Sequence, residues 1–202
     1  MSHSPLPSAS LTLAALDWRL LQPEDLPAMH ALHLCSIEGM AAQTVKPETR
    51  GFLHGLLLGR GRVIGAWHGA ALAAYGVLQH DLLAQDDPRA LLGLAPGQVL
   101  YKLAGAAVAP AWRGQGLQRQ LIARRVAWAG DAALFATAAP GNVPSWRSLL
   151  ACGFTVRALQ YRYGGHARYL LARVPGELAP DAPAQELPLD DLPRQEALLA
   201  QG

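Results

Sequence analysis

Apolar positions along this chain fall into two rhythms, one of the helix and one of the strand, and the switches between them mark its elements. Residues 16–21 form a short apolar run. Asp25 with Pro27 close behind supplies a helix start, an acceptor for unpaired amides and then a fixed φ, for a helix predicted to reach about Ile37. Lys46-Pro47-Glu48 opens a second helical stretch with Phe52, Leu53, Leu56 and Leu57 on one face, ended by Gly59 and Gly61. Residues 62–68 and 71–79 read as two strands joined at Gly69-Ala70, an antiparallel hairpin. Residues 80–97 read as loop with a short helical piece. Residues 99–108 are apolar apart from Lys102 and bounded by Gly97 and Pro110, the pattern of a strand buried on both faces in the middle of a sheet. Leu117, Leu121, Ile122, Val126 and Ala129 then recur at helical spacing up to Gly130. A short strand over 133–138, a short helix over 145–152 stopped by Gly153, and a closing hairpin of 154–163 and 167–173 around Gly164-Gly165 complete a mixed α/β order.

Composition sets the outer limits. With 51% hydrophobic and 16% charged residues, the chain of 202 residues has the makings of one sizeable core, and a disordered chain is excluded. The expected organisation is a flexible N-terminus over 1–15, a single domain over 16–174, and an acidic Pro/Ala-rich tail over 175–202 with a short helix at 191–200. Cys35 and Cys152 stand alone, without zinc-site spacing or the density of a secreted disulfide scaffold, which suits a reducing cytoplasm. The first ten residues lack the basic start of a signal peptide, and the longest apolar region, 63–78, is broken by His68 and glycines, so no membrane span is expected.

The net charge of +2 conceals a division along the chain. Residues 1–98 sum to −2, residues 99–175 to +9 with Asp131 as their one acid, and residues 176–202 to −5. The central block should therefore hold a positive potential that draws phosphate-bearing ligands, nucleic acid or the chain's own tail.

The segment running from Val108 through Trp112-Arg113-Gly114-Gln115-Gly116 into Leu117 leaves a strand, passes two glycines and enters a helix. Such a turn aims successive backbone amides at one point, and the helix N-terminus adds partial positive charge, so it is an anion cradle suited to a pyrophosphate. The third glycine of a dinucleotide fingerprint is missing, and no GK[ST] phosphate loop occurs in the chain.

These residues resemble the acyl-CoA motif [QR]-x-x-G-x-[GA] of the GCN5-related N-acetyltransferases (GNAT), and Asn142, Ser145, Leu149 and Gly153-Phe154 resemble that family's next motif. The resemblance spans about residues 17–173 and is specific over 99–154. It implies a mixed, mostly antiparallel central sheet, splayed in the middle and flanked by helices. It also implies acetyl-CoA as co-substrate, its pantetheine paired to the backbone of Ala106, Ala107 and Val108, and its pyrophosphate held by amides of Arg113, Gly114, Gln115, Gly116, Leu117 and Gln118. Arg119, Asn142 and Ser145 would complete that site. In the splay an amine would attack the thioester, backbone N–H near Val108 would stabilise the oxyanion, and the departing thiolate would need a proton.

The chain departs from the family pattern at three places. Gln118 stands where the first motif closes with a small residue, Leu149 where a tyrosine often serves as acid, and Lys102 where some relatives carry a glutamate base. Substitutes for the proton transfers are Tyr101, Lys102, His80 and Ser148, with Tyr161 or Tyr163 on the late hairpin. Lys102 also reads as a counter-charge for a carboxylate-bearing substrate. The seven histidines show no metal-ligand spacing, and no metal is implied. Arg124 and Arg125 join Arg119 as candidate partners of the 3′-phosphate or as solvated surface. The expected function is acetyl transfer from acetyl-CoA to a primary amine of a small molecule or peptide, by direct attack in a ternary complex within the cytoplasm, in a monomer or homodimer. A CoA-responsive regulatory domain without turnover is the alternative, and a basic nucleic-acid-binding module the weaker one.

Overall fold

The computed structural model describes residues 12–41, 44–45, 47–177 and 194–195. Its elements are β1 (Asp17–Leu20), α1 (Leu26–Ile37), α2 (Arg50–Gly55), β2 (Gly61–His68), β3 (Ala71–Gln79), β4 (Leu100–Val108), α3 (Leu117–Ala129), β5 (Ala133–Ala138), α4 (Val143–Leu150), β6 (Thr155–Arg162) and β7 (His166–Arg173), with a two-residue β8 (Arg194–Gln195). The sheet order is β1-β2-β3-β4-β5-β7-β6-β8. Neighbours run antiparallel except at β4–β5 and at the short β6–β8 pairing.

Both faces of the sheet are covered. Met29, Leu32, Leu53 and Leu56 of the first two helices and the turn after them pack on Val63, Tyr75 and Val77 on one face. On the other face Leu117 and Leu121 of α3 meet Ile64, Ala66, Ala73 and Ala74. Ile122, Trp146 and Leu149 of α3 and α4 meet Leu134, Tyr169 and Leu171. Leu121, Ile122, Leu134 and Leu171 are wholly buried, each contributing about 1.5–3 kcal/mol of transfer free energy. The loop after β3 lays Leu82, Leu91, Leu92 and Leu94 against Leu100, Phe135 and Leu170.

The structure differs from the sequence expectation at four places. The run 16–21 contains an edge strand, β1, because its backbone pairs with β2 from Asp17↔Trp67 to Leu20↔Ile64. Strand β4 lies in the middle of the sheet, yet it is not buried on both faces: Gly105 is exposed and Ala104 and Ala106 are half-buried. Helix α4 begins two residues earlier than the expected Ser145, with Pro144 in its first turn, where a missing N–H costs nothing. In the tail, Arg194–Gln195 lie as a strand beside Leu159–Gln160 rather than in a helix. The rest of the expected helix over 191–200 lies outside the described residues, as do residues 1–11.

Candidate active site

The site begins where two strands part. Parallel pairing of β4 with β5 holds for Leu100↔Ala133, Tyr101↔Leu134 and Lys102↔Phe135 and then ends. Beyond Lys102 the two strands diverge, so the β5-facing edge of β4 presents backbone groups that no strand satisfies. A bulge sharpens the divergence: Gly76 pairs with Ala106 and Leu78 with Leu103, so Ala104 and Gly105 together oppose Val77. The opening leads into a cavity of about 1410 Å³, lined along its walls by Lys102 to Ala106, Ala136 to Ala138, Gln118, Asn142 and Ser145.

At one end of this opening stands the glycine turn. Gly114 and Gly116 adopt φ of 77° and 81°, the left-handed region that glycine enters without strain. Among the described residues, the amides of Gly114, Gln115, Gly116, Leu117 and Gln118 donate to no protein acceptor. Five consecutive donors without protein acceptors at the start of a thirteen-residue helix are a geometry that suits an anion. Arg113 is different: its amide donates to Pro110 O at 3.2 Å and its Nη2 to Ser36 O at 2.8 Å, which ties the loop to the end of α1. Arg119 is exposed on the first turn of α3. Asn142 and Ser145 line the cavity from the start of α4, and neither side chain has a hydrogen-bond partner among the described residues.

The tie to α1 continues inward. Ser36 Oγ donates to His33 O, His33 Nδ1 lies 3.1 Å from Tyr75 Oη, and the amide of Glu48, on the cavity wall, donates to His33 Nε2 at 2.9 Å. An Nε2 that accepts leaves the ring proton on Nδ1, so His33 is neutral here. Burial, followed by the nearby His30, lowers its pKa from the ordinary 6.5.

At the closed vertex a polar cluster replaces the apolar lining. Lys102 Nζ donates to Tyr163 Oη at 3.2 Å, and Tyr163 Oη lies 3.3 Å from Thr137 Oγ1. Tyr163 is the one non-glycine residue with positive φ among the described residues, at 54°, just before Gly164 and Gly165 at 86° each. This turn between β6 and β7 holds the phenol over the vertex at some backbone cost. Asp86, from the loop after β3, reaches Arg162 Nη1 at 3.3 Å and Lys102 Nζ at 3.8 Å. In the sequence Asp86-Asp87 reads either as a solvated loop or as a pair that meets a cationic amine, and the structure puts Asp86 in the cavity wall.

The other proton-transfer candidates are placed elsewhere. Tyr101 packs against the core cluster that holds Leu134, Trp146 and Leu149 and meets His80 edge to face at 6.3 Å; neither lines the cavity. Alternation along β4 puts successive side chains on opposite faces, so Lys102 faces the cavity because Tyr101 does not. Ser148 donates to Pro144 O at 2.7 Å within its own helix. Leu149 is buried and lines the cavity, with no proton to give. Tyr161 lines the cavity rim at 39% exposure.

Arg125 corrects the expectation of a phosphate partner or solvated surface. It is 1% exposed and spends its guanidinium on Leu121 O, Val77 O and, at 3.4 Å, Ala104 O of the bulge. Gly76 makes this possible, since a Cβ there would stand 2.9 Å from Arg125 Nε. Burial lowers the arginine's pKa to about 10, which leaves it charged at neutral pH. Arg125 thus braces the bulge from beneath. Cys152 is half-buried at the end of α4, and burial raises its pKa, as befits packing rather than nucleophilic chemistry. Among the described residues no group of three His, Cys, Asp or Glu side chains gathers to hold a metal ion, and no helix is long and apolar enough to cross a membrane.

Comparison with known proteins reaches the same elements. The family described as acetyltransferase (GNAT) matches residues 48–154, from the wall residue Glu48 to the end of the α4 motif. No curated protein sequence matches the chain. The fold is similar to that of NAA60 from Arabidopsis thaliana in complex with acetyl-CoA, with a TM-score of 0.66 and 16% identity over 80% of this chain and 99% of that one. It is similar as well to the ribosomal-protein-S18-alanine N-acetyltransferase from Escherichia coli (TM-score 0.59, 16% identity, 84% and 99% covered). A third is yncA from Salmonella typhimurium, solved with its cofactor acetyl-CoA (TM-score 0.59, 18% identity, 83% and 98% covered). Identities of this size speak for the fold, the mixed, mostly antiparallel open sheet with its helices, and for nothing finer.

Proposed function

The chain belongs to the acetyltransferase (GNAT) family, and from that membership we propose that it is an N-acetyltransferase that moves the acetyl group of acetyl-CoA directly to a primary amine in a ternary complex. The observation that carries this reading is the continuity of the cavity, which joins an open strand edge to a proton-bearing cluster and reaches Gln118, the last of the five residues of the glycine turn whose amides have no protein acceptor among the described residues. The residues present fit acetyl-CoA. Amides 114–118 suit its pyrophosphate, the open edge of β4 at Ala106, Ala107 and Val108 suits the amide groups of its pantetheine, and Asn142 and Ser145 offer free polar side chains along the way. When bound it supplies an activated acetyl thioester. Val108 ends β4 about 20 Å along the strand from Lys102, by six residues of extended chain, so the thioester end belongs near the vertex, and the oxyanion donor on β4 lies toward that end rather than at Val108 as the resemblance implied.

There the chain's own groups divide the proton work. Tyr163 holds a proton on Oη, between Lys102 Nζ and Thr137 Oγ1, and is the donor for a departing thiolate in place of Leu149. Lys102 is itself a donor to that oxygen, so it replenishes and orients the phenol and does not act as base. Asp86 is a carboxylate on the same wall and the acceptor best placed to take a proton from an incoming ammonium, directly or through water. Backbone donors on the open edge of β4 serve an oxygen anion as fixed dipoles that need no reorganisation.

The reading is tested by titrating acetyl-CoA into the protein by calorimetry and following thiol release in the same sample against pooled primary amines. Binding with release establishes the transferase. Binding without release shifts the reading to a regulatory domain that senses CoA, and absence of binding removes both.

A further inference from the structure

The charges around the vertex do not balance. Lys102, Arg162 and Arg168 line the cavity, and among the described residues Asp86 is the carboxylate that contacts Lys102 and Arg162; Asp87, on the same wall, pairs with Arg89. The side chains of Lys102 and Arg162 are each 13% exposed. Arg168 is 5% exposed, has no carboxylate partner among the described residues, donates from Nη1 to Ala167 O, and holds its guanidinium 5.8 Å from the centre of the Tyr163 ring. Beneath the adjacent bulge, Arg125 adds a fourth buried cation whose hydrogen bonds all go to carbonyls. Desolvating cations without matching anions is expensive, and a guanidinium fork left open toward a cavity is matched by a carboxylate. An excess of positive charge also opposes entry of a polycation and favours the neutral, attacking form of an amine over its ammonium.

We propose that the acceptor is a small amino acid, an amine that carries a carboxylate of its own, which is held by Arg168 with Arg162 and Lys102 at the closed end of the cavity. This assignment rests on the transferase reading and narrows it. The transfer forms an amide bond at the amine nitrogen and breaks the thioester. The ammonium gives one proton to solvent through the Asp86 wall to become the neutral amine, which gives up a second on forming the amide; the thiolate takes one from Tyr163, and that second amine proton restores the phenol, so the products are an N-acetyl amino acid and CoA thiol.

The test follows thiol release from acetyl-CoA with three pools: free amino acids, the corresponding methyl esters and amides, and the polyamines putrescine and spermidine. The expected result is at least tenfold faster release, at subsaturating concentration, with the acids than with the esters, amides or polyamines. Arg168→Gln and Arg162→Gln should each shrink the acid-over-ester preference about tenfold, a loss that a merely structural role would not confine to the acids. Thermal midpoints and acetyl-CoA titration of both variants verify that they fold and bind donor. Equal or better release with esters, amides or polyamines overturns the assignment. So does silence with the acids, while calorimetry with acetyl-CoA alone tells whether the transferase reading falls with it. Acceptance of uncharged amines only with a dicarboxylic acyl-CoA would place the carboxylate on the donor and equally overturn the proposal.

Discussion

Tyr163 is where backbone strain, polar contact and cavity lining coincide. A φ of 54° on an aromatic residue is kept because two glycines follow it and because its hydroxyl sits between Lys102 and Thr137. Tyr163→Phe removes only the oxygen. It should cut turnover about 10²-fold while leaving acetyl-CoA affinity in calorimetry as it is; a loss of affinity with turnover intact would assign the phenol to binding instead. His33 bears on stability. Its pKa is lowered in the folded state, so the unfolded chain binds more protons once pH drops below about 6.5, and stability falls as pH falls from there toward the folded pKa. Above that window the stabilisation is complete. Urea unfolding from pH 8 to pH 5 should show this decline in the intact protein and a shallower one in His33→Gln, whose amide cannot take a charge.

The glycine turn and the bulged strand show how elements divide the labour. Gly114 and Gly116 were legible because two glycines between an apolar strand and an amphipathic helix have few other uses, and the structure finds open space around both positions. A valine at position 116 meets no protein atom but must adopt φ near 81°, at a cost of about 1–2 kcal/mol. Its side chain would then stand where a pyrophosphate must approach. Gly116→Val should weaken acetyl-CoA binding at least tenfold and lower the thermal midpoint by only a few degrees; calorimetry and a melting curve separate the two effects. The bulge at Ala104-Gly105 was not legible. In the run Leu103, Ala104, Gly105, Ala106 the glycine is consistent with a bulge but does not fix one, and the extra residue is set by how β4 pairs with β3 and by Arg125 bonding Ala104 O from below.

For the molecule as a whole, the division of charge along the chain becomes a spatial one only in part. Glu177 pairs with Arg157 of β6, and Arg194–Gln195 pair with the same strand at Leu159 and Gln160, the latter a cavity-wall residue. Glu177 thus occupies one arginine of the basic block, and the charge division along the sequence predicts that the acidic segment competes with anionic ligands for it. Ending the chain after Glu177 should strengthen acetyl-CoA binding at low salt more than at high salt, since the competition is screened within about 10 Å at 0.1 M. Titrations of the full and shortened chains at two ionic strengths check it, and identical affinities would reject it.

The sequence by itself determined the order of elements, the glycine turn at Gly114 to Gln118 and the Asn142 helix start, because each is a local device: spacing, glycine and a helix terminus act within a few residues of one another. It also put a leucine at position 149 and a lysine at position 102, where the resemblance leads one to look for a tyrosine and a glutamate. Only the tertiary structure decided which of the candidate donors meets the cavity. Tyr101 and Lys102 are neighbours in the chain but lie on opposite faces of one strand, whereas Lys102 and Tyr163 are brought within 3.2 Å by a sheet that sets β4, β5 and the β6–β7 turn together. The burial of Arg125 and the place of Asp86 depend on the same long-range pairing. No window of sequence contains it, since the contacting residues come from strands and loops that only the folded sheet makes adjacent.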